Sequence, residues 1–181
     1  MKYFIASDIH GSAKYCLLML QRFAEEKADK LVLLGDILYH GPRNDLPEGY
    51  SPKKVIELLN PLKDKIICVR GNCDAEVDQM ALDFPIMADY IVIDGQELPI
   101  YATHGHHYNP ENPFPGIKNY ILLNGHTHIP AFKKHQDFYY VNPGSVSIPK
   151  QNSRHSYIIY DGCNFIFKDV LTGFTYSSEQ I

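Results

Sequence analysis

Short unbroken apolar runs alternate with polar punctuation along this chain. The segments KYFIAS, KLVLLG, KIICVRG and, later, YILLNG are of strand length, and apolar character on consecutive residues suits strands buried on both faces. Between the first two, Leu17, Leu20, Ala24 and Ala28 recur at helical spacing and predict a helix with Ser12 as its N-cap. A second helix opens with Ser51 as N-cap and Pro52 at its first position, presents Val55, Leu58 and Leu59 on one face, and ends near Pro61. The first half therefore reads βαβαβ. In the second half, DYIVIDGQELPIYATH and HSYIIYDGCNFIFKDV each set Asp-Gly between strand-like runs, a hairpin pattern. No repeat, low-complexity tract or linker interrupts the chain. The polar stretch GDILYHGPRNDLPEGY exceeds an ordinary connection, and loops of that length are functional or disordered. The expected product is a single α/β domain over residues 1–181, with two packed sheets flanked by helices.

Composition narrows the partners. With 181 residues, 45% of them apolar and 12% aromatic, the chain can bury a true core. Its 17 basic and 21 acidic residues leave a formal charge of −4, no footprint for an anionic membrane or for sequence-specific nucleic-acid binding. Cys16, Cys68, Cys73 and Cys163 form no CxxC pair, so neither a thiolate zinc site nor a redox couple is expected, and a reducing compartment fits. The apolar run in MKYFIASDIHG is too short for a signal peptide or a membrane span, which gives a cytoplasmic reading. The 13 Tyr and 9 Phe leave room for self-association, and a homo-oligomer, dimer or tetramer, is expected.

The candidate chemistry lies just past the apolar runs. Asp8 and His10 follow the first, Asp36 the second and Asn72 the third, and His104, His126 and His128 follow two later ones. In open α/β sheets, ligands bind beyond the carboxyl ends of strands. Each residue alone has a bland explanation: Asp-x-His as a hydrogen-bonded turn, Gly71-Asn72 as a bend, Asp74 as a helix cap. Such explanations account for one or two positions. They do not account for seven oxygen and imidazole donors recurring at strand ends, and that pattern points to a metal site.

The motifs DIHG, GD, GNCD, THGH and GHTH, in that order, resemble those of the calcineurin-like metallophosphoesterases. The stretches GDILYHGPRNDLPEGY, VRGNCDAEVDQM and NPGSVSIPK extend the likeness, over nearly the whole chain, to the YfcE-type bacterial phosphodiesterases of that superfamily. The resemblance implies a four-layer αββα sandwich, two packed mixed β-sheets flanked by helices. It implies that Asp8, His10 and His128 hold one metal and that Asn72, His104 and His126 hold the other. Asp36 would bridge them, its two oxygens serving two cations. The family points to two divalent ions, Mn²⁺ first, and the donor set equally suits Zn²⁺, Ni²⁺, Co²⁺ or Fe²⁺. The implied reaction is hydrolysis of a small-molecule phosphate diester by a metal-bridging hydroxide, with no nucleophilic side chain.

Two departures from the family pattern bear on mechanism. Cys73 occupies the place of a family histidine that acts as general acid, so the expected catalytic set is Asn72, Cys73 and His106. A thiol with an unperturbed pKa of about 8.5 can donate a proton, but a thiolate beside two cations cannot. Alternatively, Cys73 shapes the pocket floor in an enzyme that favours good leaving groups, or His106 supplies the proton. Protein phosphatases of the superfamily read GDxxDRG where this chain reads GDILYHG, which argues against a phosphoprotein substrate. Arg43 and His40 are then the expected substrate-binding residues. Asp74 either orients a ligand such as His104 or caps the following helix, and Asn142, Gly144 and Ser145 form a turn beside the site. His135, His155, Cys16, Cys68 and Cys163 read as surface or core residues. A catalytically silent interaction scaffold of the same fold and a phosphomonoesterase are the competing readings.

Overall fold

The computed structural model describes residues 1–181. The strands β1 (Tyr3–Ala6), β2 (Lys30–Leu33) and β3 (Ile66–Cys68) run parallel, in the register Phe4 to Leu31 and Leu31 to Ile66. They are linked by α1 (Ala13–Glu26) and α2 (Pro52–Leu59), so the predicted βαβαβ unit is present. The hairpin β9 (Ser156–Tyr160) and β10 (Asn164–Asp169), extended by β11 (Thr175–Gln180), joins this unit antiparallel to β1. The result is a six-stranded sheet in the order β11-β10-β9-β1-β2-β3. A second sheet, β4-β5-β6-β8-β7, comprises β4 (Tyr90–Ile93), β5 (Ile100–Thr103), β6 (Tyr120–Leu123), β7 (Pro130–Lys134) and β8 (Phe138–Pro143). Both Asp-Gly hairpins form, with connections at residues 94–99 and 161–163.

Strand periodicity sorts the core into layers. Ile5 of β1 and Val32 of β2 face the second sheet, in one cluster with its Ile121, Leu123 and Val141, while Phe4 and Ala6 face the helices. The apolar stripe of α1 lies one position away from the predicted one. Tyr15, Cys16, Met19 and Phe23 are buried, whereas Leu17 and Ala24 are exposed, because the bulkier of two adjacent helical rows takes the core. Ser12 caps α1 as predicted, its Oγ accepting from Tyr15 N at 3.3 Å. Ser51 precedes Pro52 without a side-chain cap bond. The two packed mixed sheets and flanking helices agree with the resemblance, but α1 and α2 both cover the six-stranded sheet. On the outer face of the five-stranded sheet the covering layer is the loop 104–119, whose Tyr108, Phe114 and Ile117 pack on Tyr101, Tyr120, Leu122, Phe138 and Tyr140. No helix is long and apolar enough to cross a membrane.

Candidate metal centre

The turns after β1, β2, β3, β5 and β6 bring seven side chains together. Asp8 Oδ1 lies 3.1 Å from His128 Nε2 and 3.5 Å from His10 Nε2, and those two nitrogens are 3.2 Å apart. Asp36 Oδ2 is 3.6 Å from His10 Nε2 and 3.5 Å from His104 Nε2. His104 Nε2 is in turn 3.1 Å from both Asn72 Oδ1 and His126 Nδ1. Every residue of the expected ligand set is therefore in one continuous group, two triads joined through Asp36. The bridge differs from the expectation in one respect. Asp36 Oδ1 accepts the backbone N–H of Cys73 at 2.8 Å, leaving Oδ2 alone between the two triads.

The hydrogen-bond pattern tests whether these residues fit cations. His10 Nδ1 lies 2.8 Å from Tyr39 O, His104 Nδ1 2.7 Å from Leu34 O, and His128 Nδ1 2.8 Å from Ile148 O. A carbonyl only accepts, so each Nδ1 carries the proton and, in the neutral ring, each Nε2 presents a lone pair to the centre. Asp8 Oδ1, buried and without a hydrogen-bond partner, points at the same place. Acceptors thus face acceptors, an arrangement that divalent cations satisfy and that the chain's own protons do not. The field is correspondingly negative. Burial alone pulls His10 down, but the adjacent carboxylates of Asp8 and Asp36 hold it above the ordinary value. Burial pushes the Asp8 carboxyl up, yet the imidazoles of His10 and His128 beside it keep it well below the usual carboxylate range.

Backbone conformation aims these groups. Asp8, His10, Asp36, His126 and His128 have φ of 58°, 48°, 55°, 66° and 62°. The left-handed region is uncommon outside glycine, although Asp and His enter it more readily than most residues. Each such step turns the chain sharply off its strand end. Two glycines let the turns nest: a methyl on Gly71 would collide with Asp36 Oδ1, and one on Gly125 with Ser7 Oγ. Asp74 does not touch His104 or cap the next helix, but it holds another residue of the expected ligand set, Asp36. The Asp74 carboxylate accepts the N–H groups of Gly71 (2.7 Å), Asp36 (2.8 Å) and Ile37 (2.9 Å), tying the turn after β3 to that after β2. The short helix α3 (Glu76–Gln79) is instead closed by Asp78, which accepts from Ala75 N at 2.9 Å. Ser145 and Ser147 donate to the Asp8 carbonyl at 2.8 and 3.1 Å, and Asn142 donates to Gly125 O at 2.7 Å. The NPGS turn therefore positions the turns that carry Asp8 and His126.

A cleft of about 440 Å³ opens over the centre, and its wall includes Arg43, Asn44, Cys73 and Lys150 besides five of the seven donors. Arg43 is where the sequence suggested. Lys150 was not anticipated, since a lysine after Ile-Pro carries no sequence signal of a site. His40 does not line the cleft; its ring packs on Tyr39 and Tyr50 at 4.7 and 5.3 Å. His106 does not line it either, but packs against His107 and His104 at 4.0 and 5.4 Å. Burial, with the neighbouring His104 and His107, lowers the His106 imidazole to about 4. Burial and the Asp36 carboxylate push the Cys73 thiol up to about 12. His155 stacks on Tyr15 at 4.1 Å and His135 on Phe138 at 4.5 Å; Cys16 and Cys68 are buried, and Cys163 is exposed.

Comparison with known proteins places this geometry among relatives. Residues 1–164 match the model of the calcineurin-like phosphoesterase superfamily domain. The chain is 46% identical to phosphodiesterase YfcE of Escherichia coli K12 over 182 aligned positions, covering all of this chain and 95% of that protein. The solved structure of YfcE, described as a phosphoesterase from E. coli, superposes with a TM-score of 0.95 at 44% identity over the full length of both chains. Vacuolar protein sorting 29 from Cryptosporidium parvum shares the fold at a TM-score of 0.63 and 17% identity, over 99% of this chain and 98% of that one.

Proposed function

This chain belongs to the calcineurin-like phosphoesterase superfamily and is a phosphoric diester hydrolase, and from that premise we propose that it cleaves a small-molecule phosphate diester at a centre of two divalent cations, Mn²⁺ in the working enzyme. The observation carrying this reading is the pair of acceptor triads, Asp8–His10–His128 and Asn72–His104–His126, sharing Asp36 Oδ2. Bound by these residues, the two ions would lower the pKa of water and neutralise charge on the phosphoryl oxygens. The side chains do the rest. Arg43 and Lys150 counter the diester's negative charge at the cleft wall. A water oxygen forms a bond to phosphorus as one ester P–O bond breaks; a proton from that water ends on the departing oxygen, giving a monoester and an alcohol.

No side chain of the expected acid set is well placed to hasten that proton transfer. His106 lies off the cleft and its imidazole is held low, and the Cys73 thiol is pushed up by burial and the Asp36 carboxylate, a weak acid; beside two cations it would instead become a thiolate with no proton to give. On either account Cys73 is a wall residue rather than the proton donor, its Sγ 3.3 Å from Asn72 Nδ2, and the enzyme favours esters with good leaving groups. Stripped protein with and without Mn²⁺, assayed on bis(p-nitrophenyl) phosphate and p-nitrophenyl phosphate, tests the reading. Metal-dependent turnover favouring the diester is expected. Preference for the monoester would make it a phosphomonoesterase, and two bound ions with no turnover would favour the scaffold. Cys73→Ala should leave the activated diester rate nearly intact, whereas a loss of ~10² or more at unchanged metal content would make Cys73 the acid.

A further inference from the structure

A second cleft, of about 490 Å³, adjoins the metal cleft, and His126 and Thr127 line both. Its far wall is a built feature. Asn109 Oδ1 accepts the N–H groups of Glu111 and Asn112 at 3.0 and 2.9 Å, and its Nδ2 donates to Gly105 O at 3.1 Å. The stack of Tyr108 on Phe114, with ring centroids 4.0 Å apart, fixes this turn to the outer face of the five-stranded sheet. The floor is Ile129 and Ala131, and Tyr140 and Gln151 add polar atoms to the lining.

Charge separates the two clefts. Arg43 and Lys150 make the metal cleft suited to an anion, while the second cleft balances Glu111 against Lys133 and is otherwise furnished with three amides, two hydroxyl side chains and two imidazoles. Volumes of a few hundred Å³ accept a whole organic group, and a lining rich in amides, hydroxyls and imidazoles suits one that forms hydrogen bonds. We propose that this cleft is the subsite for one of the two substituents of the diester, an uncharged hydrogen-bonding group of about nucleoside size. The assignment deepens the diesterase reading and rests on it. The preorganised wall holds the group without ordering a loop on binding, so binding energy at the substituent is available to the reacting phosphate.

The test compares two substrates with the same leaving group, p-nitrophenyl thymidine 5′-phosphate and methyl p-nitrophenyl phosphate, on the Mn²⁺-loaded enzyme. The thymidine ester should have a kcat/KM higher by roughly tenfold or more, and the combined Lys133→Ala, Gln151→Ala variant should lose most of that ratio. Equal kcat/KM values, or a ratio the variant does not change, would overturn the subsite while leaving the diesterase intact. In parallel, thymidine is titrated into the ¹⁵N-labelled metal-free protein. Saturable shifts confined to amides around Thr127, Ala131 and Gln151, weakened in the variant, are expected. If neither ester turns over, the diesterase reading fails and this titration alone decides whether the cleft binds such a group; no shifts there would overturn it.

Discussion

The two triads of the centre are built to different standards. Asp8 and His10 are wholly buried and His128 is 3% exposed; each imidazole is anchored through Nδ1 to a backbone carbonyl, and the Asp8 carbonyl is itself held by Ser145 and Ser147. In the other triad only His104 matches that. Asn72 is exposed and His126 half-buried, and His126 turns Nδ1, rather than an anchored Nε2, toward its neighbour. Both positions border the cleft, but the first is the more deeply buried and the better anchored, while the second is more open to solvent. A cation in the first is expected to be resident and one in the second exchangeable, because ligands fixed by surrounding hydrogen bonds lose little entropy on binding.

Replacing one residue on each side is the severest test of that contrast. Asp8→Asn should lower diester turnover by roughly 10³-fold, several kcal/mol of Lewis-acid stabilisation being at stake, and no excess of Mn²⁺ should restore it. Asn72→Ala should cost only about 10–100-fold and recover in part as Mn²⁺ is raised, with metal content falling from two ions towards one. Equal losses, or rescue of both variants by metal, would erase the distinction. Ser145→Ala probes the support of the buried side and is expected to reduce activity about tenfold, with weaker metal retention on dialysis.

The smallest effect is electrostatic. The folded Asp8 carboxyl is held below its ordinary range, so its contribution to stability is complete above the unfolded value near ~3.9 and is lost as pH falls through the folded one. The acid limb of the metal-free protein's stability should therefore be steeper than that of Asp8→Asn, by up to about one proton. Parallel limbs would show that the buried triad is not poised as described.

Much of this was legible in the sequence, for physical reasons. Consecutive apolar residues in KYFIAS and KLVLLG admit only strands covered on both sides, and a donor set recurring at their ends has few uses besides a metal. What escaped depends on distant partners. Leu17 and Met19 are equally apolar, and packing against Phe4 and Tyr157, far along the chain, decides which is buried. Asp74 reads as a cap because its neighbours suggest one, whereas its bonding partners include Asp36 and Ile37 on another turn. Lys150 and the wall of the second cleft become visible only once β6, β7 and the loop 104–119 are folded together. The cover of the five-stranded sheet is hidden for a related reason: Tyr108 and Phe114 carry no helical period, yet they cover a sheet face as a helix would.

The left-handed turns at Asp8, His10, Asp36, His126 and His128 also set stability against the site. A left-handed conformation costs an ordinary residue about 1–2 kcal/mol, against a total stability of about 5–15 kcal/mol for a typical domain. Selection for heat resistance alone would convert such positions to glycine or asparagine, raising the melting temperature while dismantling the site one donor at a time. At these five positions the side chains that supply the donors are also the ones that carry the backbone strain, so the site and the stability of the fold pull in opposite directions.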